Sequence, residues 1–285
     1  MPGVSCDYTT VGHVTADVMA DGSRRPGGGA FFSALQAARL GWRARIVTRG
    51  VRAEIEQLLA PYAAELELEV AESQHTTTLA TSITGHARSQ RMLAWAGQIG
   101  EDLRVDTAIL HVAPVARETG AHWRGRARFV GLTPQGLVRT WARIGAPLMP
   151  AALQRALVPE RCDAIVISSH ERDSCAALLA GFEASGGDRS TGPVVAVTDA
   201  AAPTELYLPD GQSARVRVPA VVSPCDDIGA GDVFAAAFFV ALAEGSAPEP
   251  AASLANAAAA VRIAGDGPGA IGDRTIIEAR ADAVA

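Results

Sequence analysis

Lysine is absent: all 25 basic residues of the 285 are arginine. A GC-rich genome, which spells basic positions as Arg, would account for it. The absence still removes chemistry. A Walker-type phosphate loop needs its Lys, and so does a Schiff-base enzyme. Cysteine is scarce. Cys6, Cys162, Cys175 and Cys225 stand far apart, without CxxC or Cys/His spacing, so no zinc site is indicated. Buried thiols in a reducing, cytoplasmic compartment are the expectation. No apolar run approaches the ~18 residues of a membrane span, the first residues do not read as a secretory signal, and no membrane partner is expected. No G-x-G-x-x-G follows the first apolar segment, which argues against a nicotinamide dehydrogenase.

What is present suits a folded chain. Apolar residues make up 48% and charged residues 20%, enough to bury a sizeable core and too apolar for disorder. The net charge of −6 disfavours nucleic acid as a partner, because a phosphate backbone demands a basic face.

The chain alternates strand and helix patterns. Segments 4–11, 45–48, 107–112, 127–132, 164–168 and 194–198 are short, apolar and rich in β-branched residues, as buried parallel strands are. Helices are predicted at 27–41, 52–60, 135–144, 148–157, 171–183, 229–243 and 250–264. Segments 65–70, 79–84 and 89–94 alternate polar and apolar residues, with a turn at Gly85-His86. They read as a small antiparallel insertion with one wet face. Residues 185–192 read as a Gly/Ser loop, and Asp210-Gly211 as the turn of a late hairpin. The pattern predicts one α/β domain over residues 1–285, a doubly wound, mostly parallel sheet flanked by helices.

The most informative stretch is Asp226-Asp227-Ile228-Gly229-Ala230-Gly231-Asp232-Val233-Phe234. Its turn is nearly free of side chains and opens a helix. Free N–H groups with the positive end of the helix dipole behind them suit an anion. An Asp in the first turn can accept a proton from an incoming hydroxyl. An ordinary glycine turn with an Asp cap is the plain alternative.

This stretch resembles the signature of the PfkB/ribokinase carbohydrate kinases, Asp-Thr-x-Gly-Ala-Gly-Asp, with Asp227 in place of Thr. The resemblance implies a ribokinase-like fold with a small β lid, here from about 13–26 and 65–95. It implies Asp232 as catalytic base and Gly229, Ala230 and Gly231 as anion hole, with ATP and Mg2+ as cofactors. On the acceptor side, Asp17 and the Gly27–Gly29 run are similar to the family's sugar-binding Asp and Gly-Gly loop. A carboxylate accepts hydrogen bonds from two vicinal hydroxyls. Asp17, Gly28, Gly29 and Ser33 are therefore candidate acceptor contacts; ribokinases proper carry Asn near the last of these. The run Thr76–Thr78, Arg91 and Pro134-Gln135-Gly136 resemble a short inositol-kinase-like branch, which adds Arg91 and Gln135. That points to a small sugar or cyclitol. On the donor side Thr198, Asp227, Asn256 and Gly269 are implied at the nucleotide and Glu171 at the metal.

Two family elements are altered. Ser168–Asp173 stands where Asn-x-x-Glu is usual, and Thr198 is followed by Asp199 and alanines rather than a Gly. A carboxylate beside a triphosphate repels it unless a metal intervenes. Two other readings stay open, a nucleoside kinase of the same fold and a non-catalytic binding protein. Only residues 18–26 separate Asp17 from Gly27, so the lid should be small and the chain a monomer, or a dimer joined through the lid.

Overall fold

The computed structural model describes residues 7–84, 87–100, 103–183 and 192–283. Cys6, the start of the first predicted strand, the Gly85-His86 turn and most of the 185–192 loop lie outside them. The strands and helices are, in order, β1 (Asp7–Val11), β2 (Thr15–Val18), β3 (Arg24–Gly27), α1 (Gly29–Arg39), β4 (Arg43–Gly50), α2 (Arg52–Leu59), β5 (Leu66–Glu72), β6 (Thr78–Thr84), β7 (Ala87–Ala94) and β8 (Thr107–Val112). They continue as β9 (Ala127–Leu132), β10 (Arg139–Thr140), β11 (Met149–Pro150), β12 (Ala164–Ser168), α3 (Ala176–Glu183), β13 (Val194–Asp199), β14 (Ala202–Tyr207), β15 (Ser213–Val216), α4 (Ala230–Ala243), α5 (Pro248–Ile263) and α6 (Arg274–Asp282).

The main sheet has the order β15-β14-β13-β12-β9-β8-β1-β4-β5. It is parallel from β13 to β5, and β14 and β15 add an antiparallel hairpin at one edge. This is the expected α/β architecture. Each face carries its own core. One gathers Phe31 and Leu35 of α1, Ile55 of α2, Phe234 and Phe238 of α4, alanines of α5 and Ile277 of α6. The other gathers Leu110, Leu132, Ile165, Val195 and Leu179 of α3. Helix α4 is buried continuously from Val233 to Ala241, which explains why it is apolar all round rather than along one stripe.

The second sheet, β3-β2-β6-β7, contains most of the segments expected in the lid. It is mixed rather than wholly antiparallel, because β2 and β6 run parallel. Its β7 edge is closed within the chain: Met92 N–H donates to Ala146, Gly145 N–H to Met92 and Leu148 N–H to Gln90.

Three readings of the sequence need correction. Segment 65–70 is not part of the lid but of β5, paired parallel to β4 at the edge of the main sheet. Its alternation reflects an edge position with one wet face, which mimics the antiparallel signature. The helices predicted at 135–144 and 148–157 do not form. Pro134–Gly136 is one 3-10 turn, and β10 and β11 follow as a short hairpin. Gly145, Pro147 and Pro150 interrupt the helical pattern there. In the 171–183 segment the α-helix begins only at Ala176. Of the described cysteines, Cys175 is buried, Cys162 half-buried and Cys225 exposed, against the expectation for the last. Burial pushes the Cys162 and Cys175 thiols up to about 12, so neither carries appreciable thiolate at neutral pH.

A polar chain crosses the apolar sheet. His111 of β8, fully buried, lies 2.8 Å from the Tyr8 hydroxyl and 3.1 Å from Thr133 Oγ1. Burial drives its pKa down to about 3. In the unfolded chain the imidazole protonates near its ordinary 6.5. Between those values the unfolded state binds the extra proton, so stability falls as pH drops below about 6.5, by up to about 1.4 kcal/mol per unit. Burial also lowers His13, which acts in the same direction. Urea midpoints should therefore fall between pH 7.5 and pH 5, and less steeply in His111→Gln. Equal slopes in both proteins would remove His111 from this account.

Among the described residues no helix is long and apolar enough to cross a membrane.

Candidate active site

Strand β1 lies between β4 and β8. The chain therefore winds outward in both directions from this point. In such sheets a crevice opens beyond the carboxyl ends of the strands where the direction switches. The loop after β1 and the loop after β8 meet there. The buried Glu118 carboxylate accepts the N–H groups of His13 (2.8 Å), Val115 (2.8 Å) and Ala116 (2.7 Å). His13 also lies 2.8 Å from Thr77 Oγ1, which accepts the Ala96 N–H at 3.0 Å. Thr76 Oγ1 accepts the Val51 N–H at 3.2 Å. The threonine run thus ties the root of the lid to the body.

Of the acceptor-side candidates, Asp17, Gly28 and Gly29 lie together here. Asp17, 5% exposed, accepts a hydrogen bond from Thr15 Oγ1 at 2.8 Å. A Cβ placed on Gly27 would stand 2.5 Å from Asp17 Oδ2. Gly28 has φ +95°, and a Cβ there would stand 2.2 Å from the His13 carbonyl oxygen. Gly29 opens α1, and its Cβ would stand 2.7 Å from Asp232 Oδ1. One run of three glycines thus touches Asp17 at one end and Asp232 at the other.

Asp232 sits half-buried in the first turn of α4. Gly229 caps that helix with φ +79° and ψ 2°, and no side chain caps the exposed amides. The Ala230 N–H donates to the Asp227 carbonyl at 3.1 Å. Its expected share in the anion hole is therefore taken by the turn itself, and Gly229 and Gly231 remain as candidate donors. Ser33 needs a similar correction. It is fully buried, and its hydroxyl donates to the Asp232 backbone carbonyl at 3.1 Å, so it ties α1 to α4 rather than facing an acceptor. The Tyr8 hydroxyl is raised well above its ordinary range, first by burial and then by the Asp232 charge, which places that charge near the buried Tyr8–His111 pair.

Arg262 was not singled out from the sequence. It is fully buried in α5, and its guanidinium reaches the turn that precedes Gly229. Nη2 donates to Asp226 Oδ2 and the Ile228 carbonyl, both at 2.7 Å. Nη1 donates to the carbonyls of Asp226 (3.2 Å) and Gly265 (3.1 Å). Burial pushes the Asp226 carboxyl up, but Arg262 and the N–H groups of Ile228 and Gly267 outweigh it and hold the group below its ordinary value. The available signal was a lone charge in an alanine-rich helix.

The donor-side candidates Glu171 and Thr198 lie at the ends of β12 and β13, where Ser168 pairs with Thr198. Glu171 Oε2 accepts the Ser168 N–H at 2.9 Å in a capping box. Ser169 Oγ donates to Asp199 Oδ1 at 2.7 Å, and Thr198 Oγ1 donates to the Ile167 carbonyl at 3.4 Å. Ala200, next along, holds φ +46°. The Asn256 side chain is committed within the fold. It is buried, accepts from Thr204 Oγ1 at 2.8 Å and donates to the Arg217 carbonyl at 3.1 Å, so its amide pins α5 to β14 and to the chain after β15. Asp227 and Gly269 are exposed, and the Gly269 carbonyl accepts from Arg39 at 3.2 Å. Arg91 is exposed on β7, one residue before the buried Met92. Alternation puts it on the strand face opposite the one that packs on Val115 and Ala116. Gln135 is half-buried in its 3-10 turn, which docks through the Gly136 N–H on the Pro114 carbonyl at 3.0 Å. Among the described residues no three His, Cys, Asp or Glu side chains form a ready metal cluster.

A family model for the pfkB family carbohydrate kinases matches residues 150–273. No curated protein matches the sequence. Among solved structures, a sulfate complex of a pyrophosphate-dependent kinase in the ribokinase family is 20% identical, with TM-score 0.73 over 95% of this chain and 99% of its own. A pyrophosphate-dependent kinase of that family complexed with a pyrophosphate analog and myo-inositol is 21% identical, with TM-score 0.71 over 95% of this chain and 99% of its own. Arabidopsis thaliana ribokinase complexed with ribose and ATP is 16% identical, with TM-score 0.74 over 98% of this chain and 99% of its own. At these identities the likeness is one of fold. The chain therefore has the ribokinase-like fold along its length, and residues 150–273 match the pfkB family of carbohydrate kinases.

Proposed function

We propose that the chain transfers a phosphoryl group to a hydroxyl of a small sugar or cyclitol, with Asp232 as general base. One observation carries this reading: the Asp232 carboxylate lies against the Gly29 backbone, at the end of the glycine run that begins beside Asp17. A polyol held by Asp17 over that backbone would present a hydroxyl to Asp232. The base takes the proton as the oxygen attacks. The Gly229 and Gly231 amides, backed by the α4 dipole, stabilise the charge on the migrating phosphoryl group. Magnesium would travel with the donor phosphates and offset their charge. Glu171 and Asp199, hard oxygen ligands at the ends of β12 and β13, are the carboxylates suited to hold it, directly or through water.

ATP is the donor implied by the sequence motif. Pyrophosphate is the second reading, and two observations favour it. Asn256 is committed inside the fold, and after Thr198 come Asp199 and then Ala200, where a Gly would have met the phosphates of a nucleotide. The pyrophosphate-dependent kinases of the same fold are consistent with it. A nucleoside acceptor is less well supported. Phe31 and Phe32 are core residues, and Trp95 packs on Trp141 with its Nε1–H donating to the Ala116 carbonyl at 3.1 Å. The two phenylalanine rings are thus committed to the core.

The deciding experiment incubates the chain and magnesium with ATP or pyrophosphate, against a panel of pentoses, hexoses, inositols and nucleosides, and follows phosphoester formation by 31P NMR. A product on a sugar or cyclitol supports the reading. Ligand-dependent melting without any product would leave a binding protein instead. Asp17→Ala should raise the acceptor KM about 10- to 100-fold with a smaller change in kcat, since hydrogen bonds to a charged group contribute about 1.5–3 kcal/mol each. An unchanged KM would remove Asp17 from the acceptor site.

A further inference from the structure

We propose that Arg262 is a positioning residue for phosphoryl transfer, the fixed cation that holds the anion-binding turn in its active shape. The inference rests on the functional reading above and concerns a residue outside the family signature.

Arg262 is the largest fully buried side chain in the described structure. A charge in that setting persists only where oxygens surround it. Three backbone carbonyls and one carboxylate do so, from two separate segments: Asp226 and Ile228 lead into the turn, and Gly265 follows α5. Without a cation those oxygens would repel one another. The fork geometry of a guanidinium meets several acceptors at once, which a point-like ammonium cannot do. Supporting bonds run the same way. The Cys225 N–H donates to the Ile263 carbonyl at 2.7 Å, and the Gly267 N–H to Asp226 Oδ2 at 3.2 Å. The guanidinium also lies 5.8 Å from the centre of the Phe32 ring, the ring that would collide with any side chain at Gly229. Arg262 therefore grips the turn and Phe32 bounds it at Gly229. The Gly229 and Gly231 amides and the Asp232 carboxylate follow directly from the segment so held. A purely structural role would lower stability and leave the chemistry of folded molecules unchanged. A positioning role lowers kcat specifically, because misplacement by about 1 Å can cost about 10²-fold.

The test compares wild type, Arg262→Ala, Arg262→Lys and Asp226→Asn. Amide hydrogen exchange on the protein alone reports the turn. Faster exchange in 227–231, with β8 unchanged, is the expected result for Arg262→Ala. Kinetics use whichever of ribose, fructose or myo-inositol, with MgATP or magnesium pyrophosphate, the wild type turns over fastest. Arg262→Ala should lose about 10²-fold in kcat with acceptor KM within about threefold, and millimolar guanidinium should restore about tenfold. Arg262→Lys should recover only part of the loss. If Arg262→Ala does not fold, Asp226→Asn carries the test, with an expected fall of about tenfold in kcat and faster exchange in the turn. Wild-type kcat in a folded variant, or unchanged exchange in 227–231, overturns the proposal. If the wild type transfers no phosphoryl group to any acceptor, the functional reading falls, and the exchange data still decide whether Arg262 holds the turn.

Discussion

Asp232→Asn is expected to lower kcat by about 10²–10⁴-fold, the span that one positioned general base contributes. The substitution conserves shape, so the loss would be chemical. The Asp232 carbonyl, fixed by the Ser33 hydroxyl, does not depend on the side chain. The turn before it is held through Asp226 and Arg262. The acceptor contacts attributed to Asp17 and the glycine run also remain. Acceptor affinity, measured by calorimetry, should therefore change little while single-turnover rates collapse. Turnover within tenfold of wild type would show that another group takes the proton, and the assignment of Asp232 as base would fail. Because the Asp232 charge adds to burial in raising the Tyr8 hydroxyl, its removal should also let that hydroxyl move back toward its ordinary range. An ultraviolet titration of phenolate would follow that shift.

The fold was legible where the local pattern and the tertiary context agree. Strands such as β8 and β12 are apolar because both faces are covered, and α4 is apolar all round because it packs between α1, α5 and the sheet. The reading failed where one pattern has two causes. The alternation in 66–72 belongs to an edge strand, and an edge strand of a parallel sheet exposes one face just as an antiparallel lid strand does. The segment 135–157 carried helical spacing, but its prolines and glycines divide it into a 3-10 turn and a short hairpin that closes the β7 edge. Helix α6 was missed, although the Asp273 side chain caps it by accepting the Ile276 N–H at 3.0 Å, a signal readable from sequence.

The candidate site divides in the same way. Side-chain-poor backbone is a local property, so Gly27–Gly29 and Gly229–Gly231 stood out before any coordinates. That Asp232 would rest against Gly29 is a relation between residues far apart in sequence, fixed only by the packing of α1 on α4. The same holds for Ser33 and Asn256. Their polar groups were read as facing a ligand, and the fold turns them inward to bond with backbone or a neighbouring helix. Glu118 and Arg262 were invisible for the complementary reason. Apart from the Asp226 carboxylate beside Arg262, the partners of both are backbone groups, some of them far away in sequence, and backbone partners leave no trace in composition.

Gly229→Ala should damage both stability and turnover, and the two effects share one cause. The position has φ +79°. An L-residue in that region costs about 1–2 kcal/mol. The added Cβ would also stand 2.3 Å from the Phe32 ring, which is buried and packed beside Phe31. Overpacking of that kind costs about 1–3 kcal/mol. Denaturation should accordingly show a loss of about 2–5 kcal/mol. The chain can relieve the strain only by moving the turn, and the Gly229 and Gly231 amides move with it. Losing one aligned donor to a developing anion costs about 10²–10³-fold in kcat. Gly231→Ala is the control free of both strain and crowding, because a Cβ there meets nothing within 4 Å and the backbone is already helical. Its stability should stay within about 1 kcal/mol of wild type, or rise, since Ala is the better helix former. If Gly229→Ala melted like wild type and kept its kcat, the turn would tolerate a side chain. The amides would then have no fixed direction from which to stabilise a phosphoryl group.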